Sequence, residues 1–182
     1  MMHLTTTLSG KTLGVVGLGR IGREIADRAR AFKTRVAYTG RTRQDVPFDY
    51  VPDLVGLARR SDVLMLTVPG GEATRNLVGR EVLEALGPKG WLVSVARGSI
   101  VDEPALVAAL EAGTIQGAGL DVYWNEPNVS PGLVALPNVV LYPHHASGTV
   151  ETRAAMSQLV VDNLAAHFAG RPPHTPVPEC RA

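Results

Sequence analysis

The feature that most constrains this chain is Gly17-Leu-Gly19-Arg-Ile-Gly22, three glycines at G-x-G-x-x-G spacing set between two contrasting patterns. Before it runs Thr12-Leu-Gly-Val-Val16, short and apolar; after it, Arg20 to Phe32 carries apolar residues at helical spacing. That order predicts strand, tight turn and helix. In such a unit Gly17 permits the turn, Gly19 leaves room for the backbone to approach a pyrophosphate, and Gly22 lets helix and strand pack closely. The amides at the helix start supply the charge complement. A lone glycine pattern is weak, but its position between strand and helix makes this one informative.

The rest of the chain repeats the alternation. Arg35 to Tyr38 reads as a second strand, Asp53 to Arg59 as a short helix, and Val63 to Val68 as a buried strand stopped by Pro69-Gly70-Gly71. A helix over about Thr74 to Leu86 precedes a strand over Trp91 to Ala96. Asp102 opens a helix with Glu103 and Pro104 in its first turn, and Leu106, Val107 and Leu110 on its inner face. Gly117 to Val122 and Val139 to Tyr142 are further strands, and Thr149 to Phe168 is a last long amphipathic helix. Strands alternating with helices imply a parallel sheet covered on both faces, a doubly wound three-layer α/β fold. With 182 residues and 45% hydrophobic content the chain can bury one good core. We divide it into a polar lead-in (1–10), an NAD(P)-binding domain (11–169) and an extended Pro-rich tail (170–182).

Composition excludes several classes. Net charge is +1 and the arginines are dispersed, so no nucleic-acid partner is expected. The single cysteine, Cys180, offers neither a disulfide framework nor a thiolate metal site. His144 and His145 are adjacent, and in an extended segment would point to opposite faces, so no metal is expected. The polar, Thr-rich start lacks a basic segment followed by an apolar run, and no stretch reaches about 18 apolar residues, which leads us to expect a cytoplasmic protein without signal peptide or membrane span.

The second strand is followed by Thr39-Gly40-Arg41-Thr42-Arg43, with no carboxylate before Asp45. An acid here would bind a ribose 2′-OH, whereas Arg41 and Arg43 with the hydroxyls of Thr39 and Thr42 suit a 2′-phosphate; NADP(H) is therefore expected to be preferred, with NAD(H) possible. Ligands of an open parallel sheet sit beyond the carboxyl ends of its strands. There the sequence places Arg97-Gly98, Asp121 with Glu126, and His144. One histidine, one carboxylate and one arginine meet the needs of carbonyl reduction by a nicotinamide. His144 can donate the proton, Glu126 can orient the imidazole and favour its charged form, and Arg97 can clamp a substrate carboxylate. His145 is a rival for the acid/base role that pattern alone does not separate from His144.

These residues lie in longer segments: Leu8-Ser-Gly-Lys-Thr-Leu-Gly-Val-Val-Gly-Leu-Gly-Arg-Ile-Gly22, Val95-Ala-Arg-Gly-Ser-Ile-Val-Asp-Glu103, Gly119-Leu-Asp-Val-Tyr-Trp-Asn-Glu-Pro127, Asn138-Val-Val-Leu-Tyr-Pro-His144 and Gly148-Thr-Val-Glu-Thr-Arg153. In them the chain resembles the D-isomer-specific 2-hydroxyacid dehydrogenases, nearest their glyoxylate/hydroxypyruvate and hydroxyphenylpyruvate reductase branch. The resemblance implies a Rossmann-like domain and reduction of a small 2-oxo acid to the D-2-hydroxy acid. It implies Arg97 as the substrate-binding arginine and Glu126 with His144 as the acid/base dyad. It adds Arg20, Ile21, Val68, Pro69, Ala96 and Asp121 to the cofactor-binding residues, and a homodimer as the usual assembly. Ser94 and Trp124-Asn125 depart from the family's commoner residues, and Lys33 stands where relatives usually have glycine. The family's N-terminal substrate-binding domain has no counterpart in these residues, so the chain alone is expected to have little or no turnover. A non-catalytic NADP(H)-binding or sensor module is the alternative reading.

Overall fold

The computed structural model describes residues 6–177. They fall into two compact units, one ending at His144 and the other beginning at His145. The first unit carries seven strands: β1 (Thr12–Val16), β2 (Arg35–Thr39), β3 (Asp49–Tyr50), β4 (Val63–Leu66), β5 (Trp91–Ser94), β6 (Gly117–Leu120) and β7 (Val139–Leu141). They form one sheet in the order β3-β2-β1-β4-β5-β6-β7, with every neighbouring pair parallel. Between them lie α1 (Arg20–Ala31), α2 (Leu54–Arg60), α3 (Arg80–Leu86), α4 (Glu103–Glu111) and the single turn α5 (Pro131–Val134).

Successive strand residues face opposite sides of a sheet, and β1 divides its side chains accordingly. Val15 joins Leu13, Ala26, Val36 and Tyr38 in a cluster that includes α1. Val16 joins Leu57, Leu83 and Leu106, from α2, α3 and α4, in the other. The fold is thus the three-layer, doubly wound α/β arrangement expected. Helix starts follow their sequence signals: the carboxylate of Asp53 accepts from the Gly56 amide, and that of Asp102 from the Ala105 amide. At the opposite end of the sheet, Lys11 Nζ and the Thr12 amide both donate to the Asp62 carboxylate, at 2.9 and 2.8 Å, fastening β1 to β4. The Asp62 carboxyl feels burial, which raises its pKa. The bonds from Lys11 and Thr12 and the charges of Lys11 and Arg35 outweigh this and hold it below its ordinary value.

Several boundaries differ from the sequence reading. The helix expected from Thr74 begins only at Arg80: Asn76 has φ +50°, and Val78 makes an isolated parallel bridge to Val101, so this stretch is a turn and a bridge before the helix starts. Strands β4, β5 and β6 stop two residues short of the runs that revealed them; the final residues after β4 and β5, Thr67, Val68, Val95 and Ala96, line the site instead, while Asp121 and Val122 after β6 are buried. The two-residue strand β3 and the turn α5 carried no periodic signal. Lys33, just past α1, has φ +59°, a left-handed conformation that favours glycine.

The second unit is built on α6 (Val150–Phe168), capped by Thr149, whose hydroxyl accepts from the Thr152 amide. Asn163 bonds to both the hydroxyl and the amide of Thr175, holding that segment against the helix. The expected amphipathic division is not observed: Val150, Met156, Val160, Val161, Leu164 and Phe168 are exposed, and Ala166 is the buried residue of α6. No helix among the described residues is long and apolar enough to cross a membrane. His3 and Cys180 lie outside the described residues.

Candidate active site

The sheet order reverses between β1 and β4, and a cleft of about 1010 Å³ opens there beyond the strand ends. Its walls come from four loops of the first unit: Gly19, Arg20 and Ile21 after β1; Thr67 to Gly71 after β4; Val95 to Ser99 after β5; and Tyr123, Trp124 and Glu126 after β6, with His144 closing the end beyond β7.

The glycine loop has the shape of a dinucleotide cradle. Gly17 has φ +92°, and a side chain there would also collide with Val68, whose Cγ1 lies 2.6 Å from the position of a Cβ. A Cβ at Gly22 would stand 2.3 Å from the Gly17 carbonyl oxygen, so only glycine lets α1 start this close to the turn. At Gly19 a Cβ would meet nothing within 4 Å. That open space, at the N-terminus of α1, is where a pyrophosphate fits. Thr67, missed by the sequence reading, fixes the loop from β4 by donating its hydroxyl toward Gly17 O (2.6 Å) and Val16 O (3.1 Å).

At the other end of the cleft His144 Nδ1 and Glu126 Oε2 lie 2.6 Å apart. The other Glu126 oxygen accepts from the Tyr123 amide at 3.0 Å. The two partners come from loops after different strands, and Tyr123 is the strut between them: its buried hydroxyl donates to Leu120 O and Tyr142 O. Burial pushes the Tyr123 phenol up, so it remains a donor at neutral pH. For Glu126, burial raises the carboxyl pKa, but the bonds from His144 and the Tyr123 amide and the charges of His144 and Arg97 outweigh it, so the group is held below the ordinary range and is ionised at neutral pH. His144 has φ +50°, not the extended backbone assumed from sequence, and this conformation turns its ring to Glu126. His145 begins the second unit and lies against Gly148; His144 is the histidine that the geometry sets beside Glu126.

Arg97 enters from the β5 loop. A Cβ at Gly98 would fall 1.9 Å from Tyr123 O, so the absence of a side chain lets the arginine loop lie directly on the loop bearing Glu126. Gly70 in turn accommodates the Arg97 stem, whose Cγ would be 2.8 Å from a Cβ there. Trp124 rims the same cleft, with the Arg75 guanidinium 5.9 Å from its ring centre.

Of the residues singled out from sequence, Gly19, Arg20, Ile21, Val68, Pro69, Ala96, Arg97, Glu126 and His144 share this cleft. Gly17 and Gly22 are not in its lining but abut Val68 and Thr67, which are, and Asp121 is buried just past β6, outside its lining. Thr39, Arg41, Thr42 and Arg43 stand outside that lining, Thr39 at the end of β2 and the other three in the loop after it. Thr39 is buried, its carbonyl accepting from the Gly17 amide; Arg41, Thr42 and Arg43 are exposed. No group of three or more His, Cys, Asp or Glu side chains among the described residues could hold a metal ion.

Comparison with known proteins agrees with this geometry. The family profile for the D-isomer specific 2-hydroxyacid dehydrogenase, NAD binding domain, matches residues 2–146. The chain is 52% identical over 176 residues to glyoxylate/hydroxypyruvate reductase A of Arabidopsis thaliana, and 50% identical over 175 residues to hydroxyphenylpyruvate reductase of Plectranthus scutellarioides; in each case 96% of this chain aligns with 56% of the relative. Among solved structures it is similar to the NADPH-dependent glyoxylate/hydroxypyruvate reductase of Sinorhizobium meliloti in complex with NADP and malonate, with TM-score 0.91 and 54% identity over 95% of this chain and 56% of that one. The chain thus spans a little over half the length of these relatives. On profile, sequence identity and fold together, it belongs to the D-isomer-specific 2-hydroxyacid dehydrogenases, in their glyoxylate/hydroxypyruvate reductase branch, and comprises that family's NAD-binding domain.

Proposed function

We propose that this chain supplies the cofactor site and the reacting groups of an NADPH-dependent reductase that converts a small 2-oxo acid, glyoxylate or hydroxypyruvate, to the D-2-hydroxy acid. The observation that carries the reading is the Glu126–His144 pair, 2.6 Å apart, in one cleft with Arg97 and the glycine loop. A reduced nicotinamide, when bound, supplies hydride to the carbonyl carbon. Arg97 pairs with the substrate carboxylate and draws electron density from the adjacent carbonyl. Glu126 holds His144 by Nδ1, which leaves Nε2 of the protonated ring to donate to the carbonyl oxygen as negative charge gathers there. In the oxidative direction the neutral ring takes the proton back.

Gly17, Gly19 and Gly22 hold the pyrophosphate, with Arg20 and Ile21 on its flank and Val68, Pro69, Ala96 and Asp121 toward the nicotinamide end. Arg41 and Arg43, with Thr39 and Thr42, take the 2′-phosphate. What supports this last assignment is that both guanidinium groups are exposed and neither is paired with an acid among the described residues. Assembly as a homodimer and a cytoplasmic setting belong to the same reading. The cleft is open to solvent, so the 182 residues by themselves are expected to bind NADPH and to turn over weakly, since catalysis of this kind depends on holding the reacting atoms in place and excluding water.

The test follows NADPH consumption by the purified, folded chain with hydroxypyruvate and glyoxylate, alongside NADPH binding by fluorescence. Binding that Arg41→Ala with Arg43→Ala weakens, and any turnover being abolished by His144→Ala, is the expected result. A folded chain that binds no NADPH sinks the proposal. A sensor module would need no acid/base pair, and turnover that survives His144→Ala would remove the role given to it.

A further inference from the structure

We propose that Gln44 is a positioning residue for cofactor selection, a clasp that sets the basic loop Gly40–Arg43 at a fixed distance from the glycine loop; this rests on the NADPH reading above. Gln44 follows that loop immediately, and its side chain turns back across the end of the sheet. Its amide nitrogen donates to the carbonyl of Leu18, between the first two glycines of the cradle, at 3.0 Å. Its amide oxygen accepts from the Arg23 guanidinium in the first turns of α1. The side chain therefore spans the gap between the segment that would hold the pyrophosphate and the segment that would hold the 2′-phosphate.

The backbone of Gln44 is held just as firmly. Its amide donates to the Tyr38 hydroxyl at 2.7 Å, and that hydroxyl faces the Gln44 carbonyl at 3.3 Å. Tyr38 is fully buried in β2, so this anchor belongs to the core. The other end of the loop is tied by Tyr50, whose hydroxyl donates to Gly40 O at 3.3 Å and whose ring packs on Tyr38 with centroids 5.3 Å apart. Arg41 and Arg43 are thus exposed side chains on a backbone pinned at both ends.

The physical consequence concerns the adenosine ribose. Its 5′ side leads to the pyrophosphate and its 2′ position carries the phosphate that distinguishes NADP(H) from NAD(H), so both loops must be engaged by one rigid sugar. A loop already set at the right spacing spends no ordering entropy on binding the second phosphate. Removing the side-chain clasp keeps the arginines on their loop but no longer fixes the spacing of that loop from the glycine cradle, a loss felt by NADPH and hardly by NADH.

The experiment measures dissociation constants of NADPH and NADH by calorimetry for the full chain and for Gln44→Met, which keeps the stem and loses both polar contacts. Tyr38→Phe removes the hydroxyl beneath Gln44 while keeping the ring packing, and carries the same test if Gln44→Met does not hold its melting transition. The expected result is that each variant weakens NADPH by about tenfold and NADH by less than about threefold. Their combination should fall short of the product of the two effects, because both act on one clasp. Gln44→Met that keeps the full NADPH preference, or weakens both cofactors equally, overturns the inference. The cofactor reading fails separately: in that case the unmodified chain shows no NADPH preference, or Arg41→Ala with Arg43→Ala leaves the preference intact, and the clasp has nothing to position.

Discussion

Two glycines three residues apart make opposite demands, and alanine at each separates folding from binding. At Gly22 an added Cβ would lie 2.3 Å from the Gly17 carbonyl oxygen and 3.0 Å from Thr67 Oγ1. The nearer atom belongs to the backbone and cannot turn aside, so Gly22→Ala forces α1 away from the turn, an overpacking cost of up to about 3 kcal/mol. Helix propensity returns about 1 kcal/mol. The net of about 2 kcal/mol lowers Tm by about 4–8 °C for a chain of this size. At Gly19 the same methyl meets nothing within 4 Å, and the backbone there (φ −79°, ψ −162°) is open to any residue. The loss of glycine as an N-cap and the gain in unfolded-state rigidity, each below about 1 kcal/mol, oppose one another, so Gly19→Ala should melt within about 2 °C of the parent. Its methyl fills the space assigned to the pyrophosphate, and NADPH affinity should fall at least about tenfold. Thermal melts read one arm and calorimetric titration the other. Gly19→Ala that binds NADPH as the parent does would show that the phosphates lie elsewhere. Gly22→Ala with an unchanged melt would show that the turn yields more easily than its geometry says.

Other expectations concern stability. Lys33 is exposed at φ +59°, and its hydrogen bonds are made by backbone, its amide to Arg30 O and its carbonyl from the Gly10 amide. Lys33→Gly relieves left-handed strain of about 1–2 kcal/mol against a smaller unfolded-state cost, so the melt should rise by about 2–4 °C; a fall refutes the strain argument. Ser94 buries a hydroxyl without a partner, so Ser94→Ala should be neutral or stabilising by about 1 kcal/mol, and a loss in denaturant titration would contradict it. Asp62 is held below its ordinary pKa in the fold, so its contribution is complete above the unfolded carboxylate range and fades as pH falls through about 4 and below. Asp62→Asn should therefore flatten the acid limb of Tm against pH, and an unaltered limb would remove Asp62 as its source.

The fold was legible wherever one residue type decided a local matter. Gly17, Gly22, Asp53 and Asp102 each announce a turn or a helix start, and the apolar runs between them are the strands. The stretch from Thr74 to Leu86 was misread because its apolar residues mimic a helix while Asn76 and Val78 obey a left-handed turn and a bridge to Val101, neither of which leaves a local signature. Arg97, Glu126 and His144 were found because polar groups at strand ends converge in a parallel sheet. Thr67, Tyr123 and Gln44 were not, because their hydroxyls and amide act on backbone oxygens 50, 19 and 26 residues away. Such contacts require no particular partner residue and write no pattern. The exposed face of α6 escaped for a different reason: periodicity reports where apolar residues lie on a helix, not what meets them.

The sheet order also governs when this site can come into being. β1 has β2 on one side and β4 on the other, and β4 arrives only after the chain has passed through α1, β2, β3 and α2. The bonds that close the junction, Lys11 and Thr12 to Asp62 and Thr67 to Gly17, each bridge about 50 residues. During synthesis the glycine loop is therefore complete in sequence well before it is complete in shape. Non-local closure of this kind is slow, and an open β1 edge is exposed to wrong partners while it waits. A dinucleotide that recognises only the closed junction arrives as a late inspector, favouring chains in which the two halves of the sheet have met and doing nothing for those in which they have not.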